Sequence, residues 1–65
     1  MTKFLRINDV CVAVGLSKSY IYQLLSTQQF PQPIAIIEGG SAKAWIEQEI
    51  QEWMEQRIAA RDEVA

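Results

Sequence analysis

Apolar residues near the N-terminus recur with the spacing of one helical face, at i, i+3, i+4 and i+7. They are Ile7, Val10, Cys11 and Val14. The pattern predicts a short first helix over about Asn8–Val14, with Asn8 as its N-cap and Asp9 in its first turn, where a negative charge suits the helix dipole. Cys11 falls on the side that we expect to be buried, as a small hydrophobe.

The next segment predicts a turn followed by a two-faced helix. Gly15 can adopt the left-handed conformation that ends a helix, and Ser17 is an effective N-cap for the next one. Leu16 and Ile21 have the spacing of a hydrophobic staple around that cap. Apolar and polar residues then fall on opposite sides of the helix: Ile21, Leu24 and Leu25 on one, Ser19, Gln23 and Ser26 on the other. Such a turn and helix are typical of DNA-binding helix-turn-helix proteins, whose short polar side chains contact base edges in the major groove.

A hairpin is predicted after this helix. Pro31 and Pro33 end helical structure, because proline has no amide hydrogen and biases its predecessor towards extended geometry. The segments Ile34–Ile37 and Ala42–Trp45 predict two strands, joined by a turn over Glu38–Ser41 whose two glycines accept positive φ angles. A two-stranded hairpin placed after a helix-turn-helix is a wing.

A long third helix is predicted from Ile46 onward. Its apolar stripe consists of Ile46, Ile50, Trp53, Met54, Arg57 and Ile58. Its outer face consists of Glu47, Gln48, Gln51, Glu52 and Glu55. Trp45 and Trp53 are expected to pack in the core rather than to stack on a ligand. We expect Arg61–Ala65 to fray.

Length and composition narrow the class of protein. We assign residues 1–65 to one domain with a small core, ordered over about residues 4–61. The sequence has no histidine and a single cysteine, which argues against a disulfide, a metal site and any catalytic constellation. No cofactor, small-molecule ligand or enzymatic activity is therefore expected. We find neither a signal peptide nor a transmembrane run, and so expect a cytoplasmic protein that does not bind a membrane.

Basic and acidic residues are unevenly distributed along the chain. The net charge is −2 and the isoelectric point is near 4.9. Residues 1–37 carry three basic and one acidic side chain, whereas residues 46–65 carry two basic and six acidic ones. The mildly basic half contains the predicted helix-turn-helix, so the asymmetry would orient the domain on a phosphate backbone. Because few phosphates can be neutralised, we expect weak non-specific affinity and a shallow salt dependence.

Taken in order, these features resemble the AlpA family of phage and prophage regulators, which is itself similar to excisionases and to the winged-helix domain of MerR-type regulators. The resemblance covers nearly the whole chain. The matching residues are Phe4-Leu5-Arg6, Val10, Gly15-Leu16-Ser17, Ile21-Tyr22, Phe30-Pro31-Gln32-Pro33-Ile34, Gly39-Gly40, Trp45, Glu49, Trp53 and Met54. The resemblance implies an α+β fold, a small winged helix-turn-helix, that binds double-stranded DNA near an integrase gene or attachment site. There it would activate transcription or direct excision.

Two positions depart from the family pattern. Gln23 stands where a basic residue is usual after the tyrosine of the second helix, and Ser41 stands where the wing usually has an arginine, with Lys43 two residues further on. Both departures remove a phosphate contact. Glutamine can contact adenine through two hydrogen bonds, so a different base preference is one consequence and a weaker role in DNA binding is the other. We favour the different base preference.

We predict a DNA-contacting set on the second helix and the wing: Lys18, Ser19, Tyr20, Tyr22, Gln23, Ser26, Ser41 and Lys43. For the two tyrosines, half-buried packing with the hydroxyl at the rim is an equal alternative. A small interface suggests repeated sites, cooperative self-association on DNA or a protein partner. The rival hypothesis is a protein-interaction module that binds an integrase or another regulator, with DNA contact incidental.

Overall fold

Helices and short strands alternate along the chain in this computed structural model, which describes residues 1–64. The elements in chain order are β1 (Phe4–Leu5), α1 (Ile7–Val14), α2 (Lys18–Ser26), β2 (Ile34–Ala35), β3 (Lys43–Ile46) and α3 (Glu47–Val64). This confirms the predicted α+β class and the small winged helix-turn-helix with its long C-terminal helix. The strand β1 is an addition that the hydrophobic pattern did not predict.

The start of α1 differs from the prediction. Its N-cap is Arg6, in extended conformation, and not Asn8. The Asp9 carboxylate accepts a hydrogen bond from the Arg6 backbone amide, with 3.3 Å between N and Oδ2. The prediction of Asn8 as N-cap was wrong, because Asp9 reaches back three residues and the helix therefore begins at Ile7.

The turn between α1 and α2 is built as its residue types predict. Gly15 has φ 73°, in the left-handed region, and its amide donates to the Cys11 carbonyl at 2.9 Å. The Ser17 hydroxyl accepts from the Tyr20 amide at 3.2 Å, which confirms the N-cap of α2. Leu16 packs against the core cluster that contains Ile21. These local contacts fix the angle between the two helices.

The hairpin is part of a three-stranded antiparallel sheet in the order β1-β3-β2. Its first strand, Ile34–Ala35, is shorter than the predicted Ile34–Ile37, and the return strand is Lys43–Ile46 rather than Ala42–Trp45, a shift of one residue at the same length. The Gly40 amide closes the turn by donating to the Ile37 carbonyl at 3.0 Å. Of the two glycines, Gly39 has a positive φ, 75°, and Gly40 does not. One left-handed residue is therefore sufficient for this turn.

The core lies between the helix pair, the sheet and the first half of α3. Its buried members are Val10, Ile21, Phe30, Trp45 and Ile50. The Trp45 indole N–H donates to the Pro31 carbonyl at 2.8 Å, and that of Trp53 donates to the Gln29 carbonyl at 3.0 Å. The rings of Phe30 and Trp53 meet edge to face, with their centroids 4.8 Å apart. Both tryptophans therefore help to hold the segment between α2 and β2.

The apolar stripe predicted on α3 extends at both ends beyond the residues that pack. Ile46 belongs to β3, and α3 begins at Glu47. Ile58 is exposed, whereas Trp53 and Met54 pack against the core. A helix of 18 residues is about 27 Å long and extends beyond the rest of this small domain. Its apolar periodicity therefore continues into a part of the helix that no other element covers. Where fraying was predicted, α3 continues to Val64; Ala65 is outside the described residues.

Candidate nucleic-acid interface

The outer face of α2 carries short polar side chains opposite its buried face. Ile21 is completely buried, and Leu24 and Leu25 pack beside it against the core. Ser19 and Gln23, which are four residues apart and so share one helical face, are exposed. The face that points away from the core is therefore free to enter a groove of a partner molecule.

Ser26 is exposed on the same side, but its hydroxyl hydrogen is already used. Its Oγ donates to the Gln23 carbonyl at 2.6 Å. Thr27 makes the same kind of contact with the Leu24 carbonyl at 3.1 Å. The Ser26 oxygen retains acceptor capacity only, which makes Ser19 and Gln23 the better candidates for contacts that need a donor.

The two tyrosines of α2 are equally exposed, about half in each case, but they have different neighbours. Tyr22 lines a groove between α2 and the hairpin, together with Ser41 and Lys43. Tyr20 is not a lining residue of this groove, and its backbone amide is bound to the Ser17 cap. The fold thus brings Tyr22, rather than Tyr20, to the place where helix and wing meet.

This groove joins the predicted residues of α2 to those of the wing. We call it the helix–wing groove. Its lining residues are Arg6, Ile7, Tyr22, Leu25, Gln32, Pro33, Ser41, Lys43 and Trp45. Tyr22 lies on α2 and Lys43 begins β3, so two separate elements converge there. Lys18 is the first residue of α2 and is exposed, but it does not line the helix–wing groove.

Three basic side chains of the helix-turn-helix and the wing, Arg6, Lys18 and Lys43, are not neutralised by neighbouring carboxylates. Within residues 1–64 the ion pairs are Lys3 with Glu47, at 3.9 Å, and Arg61 with Asp62, at 2.9 Å. Arg6, Lys18 and Lys43 therefore have no carboxylate within salt-bridge distance. Unpaired, exposed cations attract a polyanion, while the acidic residues of α3 repel it.

Arg6 and Gln32 also line the helix–wing groove, and the sequence-based set did not include them. The pairing of Leu5 with Trp45 places Arg6 close to the start of β3. The sequence signals for Arg6 are its positive charge in the basic half of the chain and its place in the Phe4-Leu5-Arg6 stretch that matches the AlpA pattern. Its placement in the same groove as Lys43 depends on β1, a strand too short to show an alternating pattern.

The number of positive charges on the wing is expected to determine how strongly it binds DNA phosphates. Lys43→Ala is expected to lower affinity for all duplex sequences alike and to reduce the salt slope by about one ion, since it removes one phosphate contact. Ser41→Arg is expected to raise affinity and slope. Binding isotherms at several salt concentrations measure both effects, and two variants indistinguishable from wild type would show that the wing does not contact DNA.

Neither a metal site nor a membrane helix emerges from the described part of the chain. Among residues 1–64 no three histidine, cysteine, aspartate or glutamate side chains are grouped so that they could hold a metal ion. No helix in the same range is long and apolar enough to cross a membrane.

Two helices joined by a tight turn, followed by a hairpin and packed on a further helix, define a winged helix-turn-helix protein. Within that class, the chain belongs to the AlpA family of phage regulatory proteins. The family model, described as prophage CP4-57 regulatory protein (AlpA), matches residues 3–58.

One relative aligns with most of this chain. It is an uncharacterized protein, ORF88, of Enterobacteria phage P4, and it is 41% identical over 59 residues. The aligned region covers 91% of this chain and 65% of that relative. The chain therefore spans less than two thirds of the length of the relative. No solved structure matches the chain.

Proposed function

We propose that this protein is a sequence-specific DNA-binding regulator of a phage, prophage or integrative element. In this proposal α2 enters the major groove, and the hairpin contacts the backbone or the adjacent minor groove. The observation that carries it is the exposed polar face of α2, with Ser19 and Gln23, on the same helix as Tyr22, which lines a groove with the hairpin. Membership of a family of phage regulators supports the regulatory role.

The charge arrangement supports one orientation on DNA. Arg6, Lys18 and Lys43 carry no ion pair within residues 1–64, and the acidic side chains of α3 would be repelled by phosphate. The duplex would therefore approach from the side of α2 and the wing. With so few cations, specific binding would need repeated sites, cooperative self-association on DNA or a protein partner.

The first test is binding to double-stranded DNA of random sequence at several salt concentrations. A regulator that contacts phosphates shifts the duplex at low salt and loses it as salt rises. A protein without salt-dependent binding would be a protein-interaction module instead.

The finer role that we propose is control of integrase or excision genes, either as a transcriptional regulator or as an excision directionality factor. It rests on the resemblance of the ordered motifs and on the family of phage regulators. It also implies a cytoplasmic, nucleoid-associated protein. Footprinting across the integrase region of the element that carries the gene tests it, and protection confined to other regions would contradict it.

The protein-interaction hypothesis has one structural observation in its favour. A second groove runs between the end of α2, the segment that follows it and α3. Glu49, Glu52, Trp53 and Arg57 line its α3 side, so two acidic side chains and one basic side chain share this groove with an aromatic ring. Such a surface can bind a basic segment of an integrase or of another regulator while α2 binds DNA.

The acidic face distinguishes the two hypotheses. The double change of Glu52 and Glu55 to glutamine is expected to leave DNA binding equal or slightly tighter, because it removes long-range repulsion and no DNA contact. Each carboxylate accepts only a long, exposed bond of 3.4 Å from a glutamine one turn earlier, so the fold should persist. If the face also binds a partner, the same change abolishes activity in cells.

The measurement pairs a reporter or excision assay with a DNA titration of the same variant. Asp62→Asn with Glu63→Gln is the matched control, since it removes two charges near the C-terminal end of α3. Full cellular activity together with full DNA binding in the Glu52 and Glu55 variant would reject a partner role for this face.

A further inference from the structure

Two cations from distant parts of the sequence line the helix–wing groove. Arg6 follows β1, and Lys43 begins β3. The antiparallel pairing of Leu5 with Trp45 brings these two segments together, so the sheet itself positions both charges. Tyr22 and Ser41 line the same groove and supply two hydroxyl groups.

The groove has the composition of an anion site. None of its lining residues is acidic. Within the described chain, neither the Arg6 guanidinium nor the Lys43 ammonium has a carboxylate oxygen within 4.0 Å, although the sequence contains eight acidic and six basic residues. The nearest candidate in sequence, Asp9, uses its carboxylate to accept the Arg6 backbone amide.

These groups match the chemistry of a phosphate. The arginine guanidinium offers a planar fork of donors for two phosphate oxygens, and the lysine ammonium is a compact point charge. Hydroxyl groups of tyrosine and serine commonly donate to phosphate oxygens in protein–DNA interfaces. Leu25, Pro33 and Trp45 contribute apolar surface to the same groove.

We infer that the helix–wing groove is a binding site for one backbone phosphate of double-stranded DNA, with Arg6 and Lys43 as its cations and Tyr22 and Ser41 as its hydroxyl donors. This inference rests on the proposed function and adds Arg6 to the interface. A phosphate held there would fix how far α2 enters the major groove, because Tyr22 belongs to both the helix and the groove. Phosphate contacts of this kind set register without specifying sequence.

The experiment compares Arg6→Gln with Arg57→Gln on one fixed duplex of two helical turns, titrated at several salt concentrations. Both substitutions remove one arginine charge, but Arg57 lies on α3 outside the helix–wing groove. Arg6→Gln is expected to flatten the salt slope by about 0.9, so that between about 50 and about 200 mM salt it loses roughly three- to four-fold less affinity than wild type. Arg57→Gln keeps the wild-type slope, and Arg6→Lys restores most of it.

A second measurement on the wild-type protein covers the case in which Arg6→Gln does not fold. The side-chain Nε–H signal of Arg6 is expected to shift in ¹⁵N-resolved spectra when the duplex is added, while that of Arg57 stays in place. Inorganic phosphate at the same phosphate concentration should leave both unchanged. An Arg6 shift with inorganic phosphate and none with the duplex would overturn the assignment to DNA.

The possible failures are distinguishable. If wild type binds the duplex with a salt dependence but Arg6→Gln behaves as Arg57→Gln does, the phosphate site is wrong and the proposed function stands. If the wild-type protein shows no salt-dependent binding to the duplex, both the proposed function and the phosphate site are wrong.

Discussion

Replacing Ile21 by alanine is expected to lower the free energy of unfolding by about 2–5 kcal/mol. Ile21 is completely buried at the centre of the cluster that joins α1, α2, the sheet and α3. A domain of this size rarely has more than about 3–5 kcal/mol of stability from its core, so this one change should remove most of it. Thermal or urea unfolding followed by circular dichroism measures the loss.

Val12→Ala is the matched control for this prediction. Val12 is also an aliphatic residue on a short helix, but it is 85% exposed. Its truncation is expected to change stability by less than about 0.5 kcal/mol. Equal losses of unfolding free energy for the two variants would show that α2 does not bury the face that contains Ile21. The polar face of α2 would then not be the outer face.

Replacing Gln23 by alanine is expected to weaken binding to a specific duplex by about 1–3 kcal/mol and to leave the fold intact. The residue is exposed on the side of α2 opposite the core, so truncation removes no packing. Its carboxamide can donate to and accept from one adenine, and that pair of bonds is lost without a replacement. Competition titrations with specific and random duplexes measure the effect.

The control for Gln23 is Gln51→Ala, the same substitution on the outer face of α3. It is expected to leave both affinities unchanged. Unchanged specific affinity in Gln23→Ala would remove this residue from the set that contacts bases. Loss of the fold in that variant would mean that the helix face had been placed wrongly.

The elements that local chemistry determines were predictable from the sequence. Gly15 and Ser17 define the turn between the first two helices because one adopts a left-handed conformation and the other caps a helix, and both requirements involve only neighbouring residues. The alternation of Ile21 with exposed polar residues likewise fixed the faces of α2. These are the features on which the candidate interface rests.

The features that depend on distant residues were not predictable in this way. Phe4–Leu5 is too short to show a strand pattern, and it forms β1 only because β3 offers an unpaired edge. Without β1, nothing in the sequence places Arg6 in the same groove as Lys43. Ile58 shows the opposite case. Its place in the apolar pattern of α3 predicts burial, but it lies beyond the elements that pack against this helix and is exposed.

The most direct test of the proposal that α2 and the wing bind DNA is chemical-shift mapping of the backbone amides of the wild-type protein with a duplex that it retards. The proposal predicts that the perturbed amides form one surface. That surface comprises the outer face of α2, around Ser19 and Gln23, and the hairpin around Lys43, while the amides of Glu52 and Glu55 on α3 stay unchanged. Perturbations centred on α3, with none on α2, would contradict it.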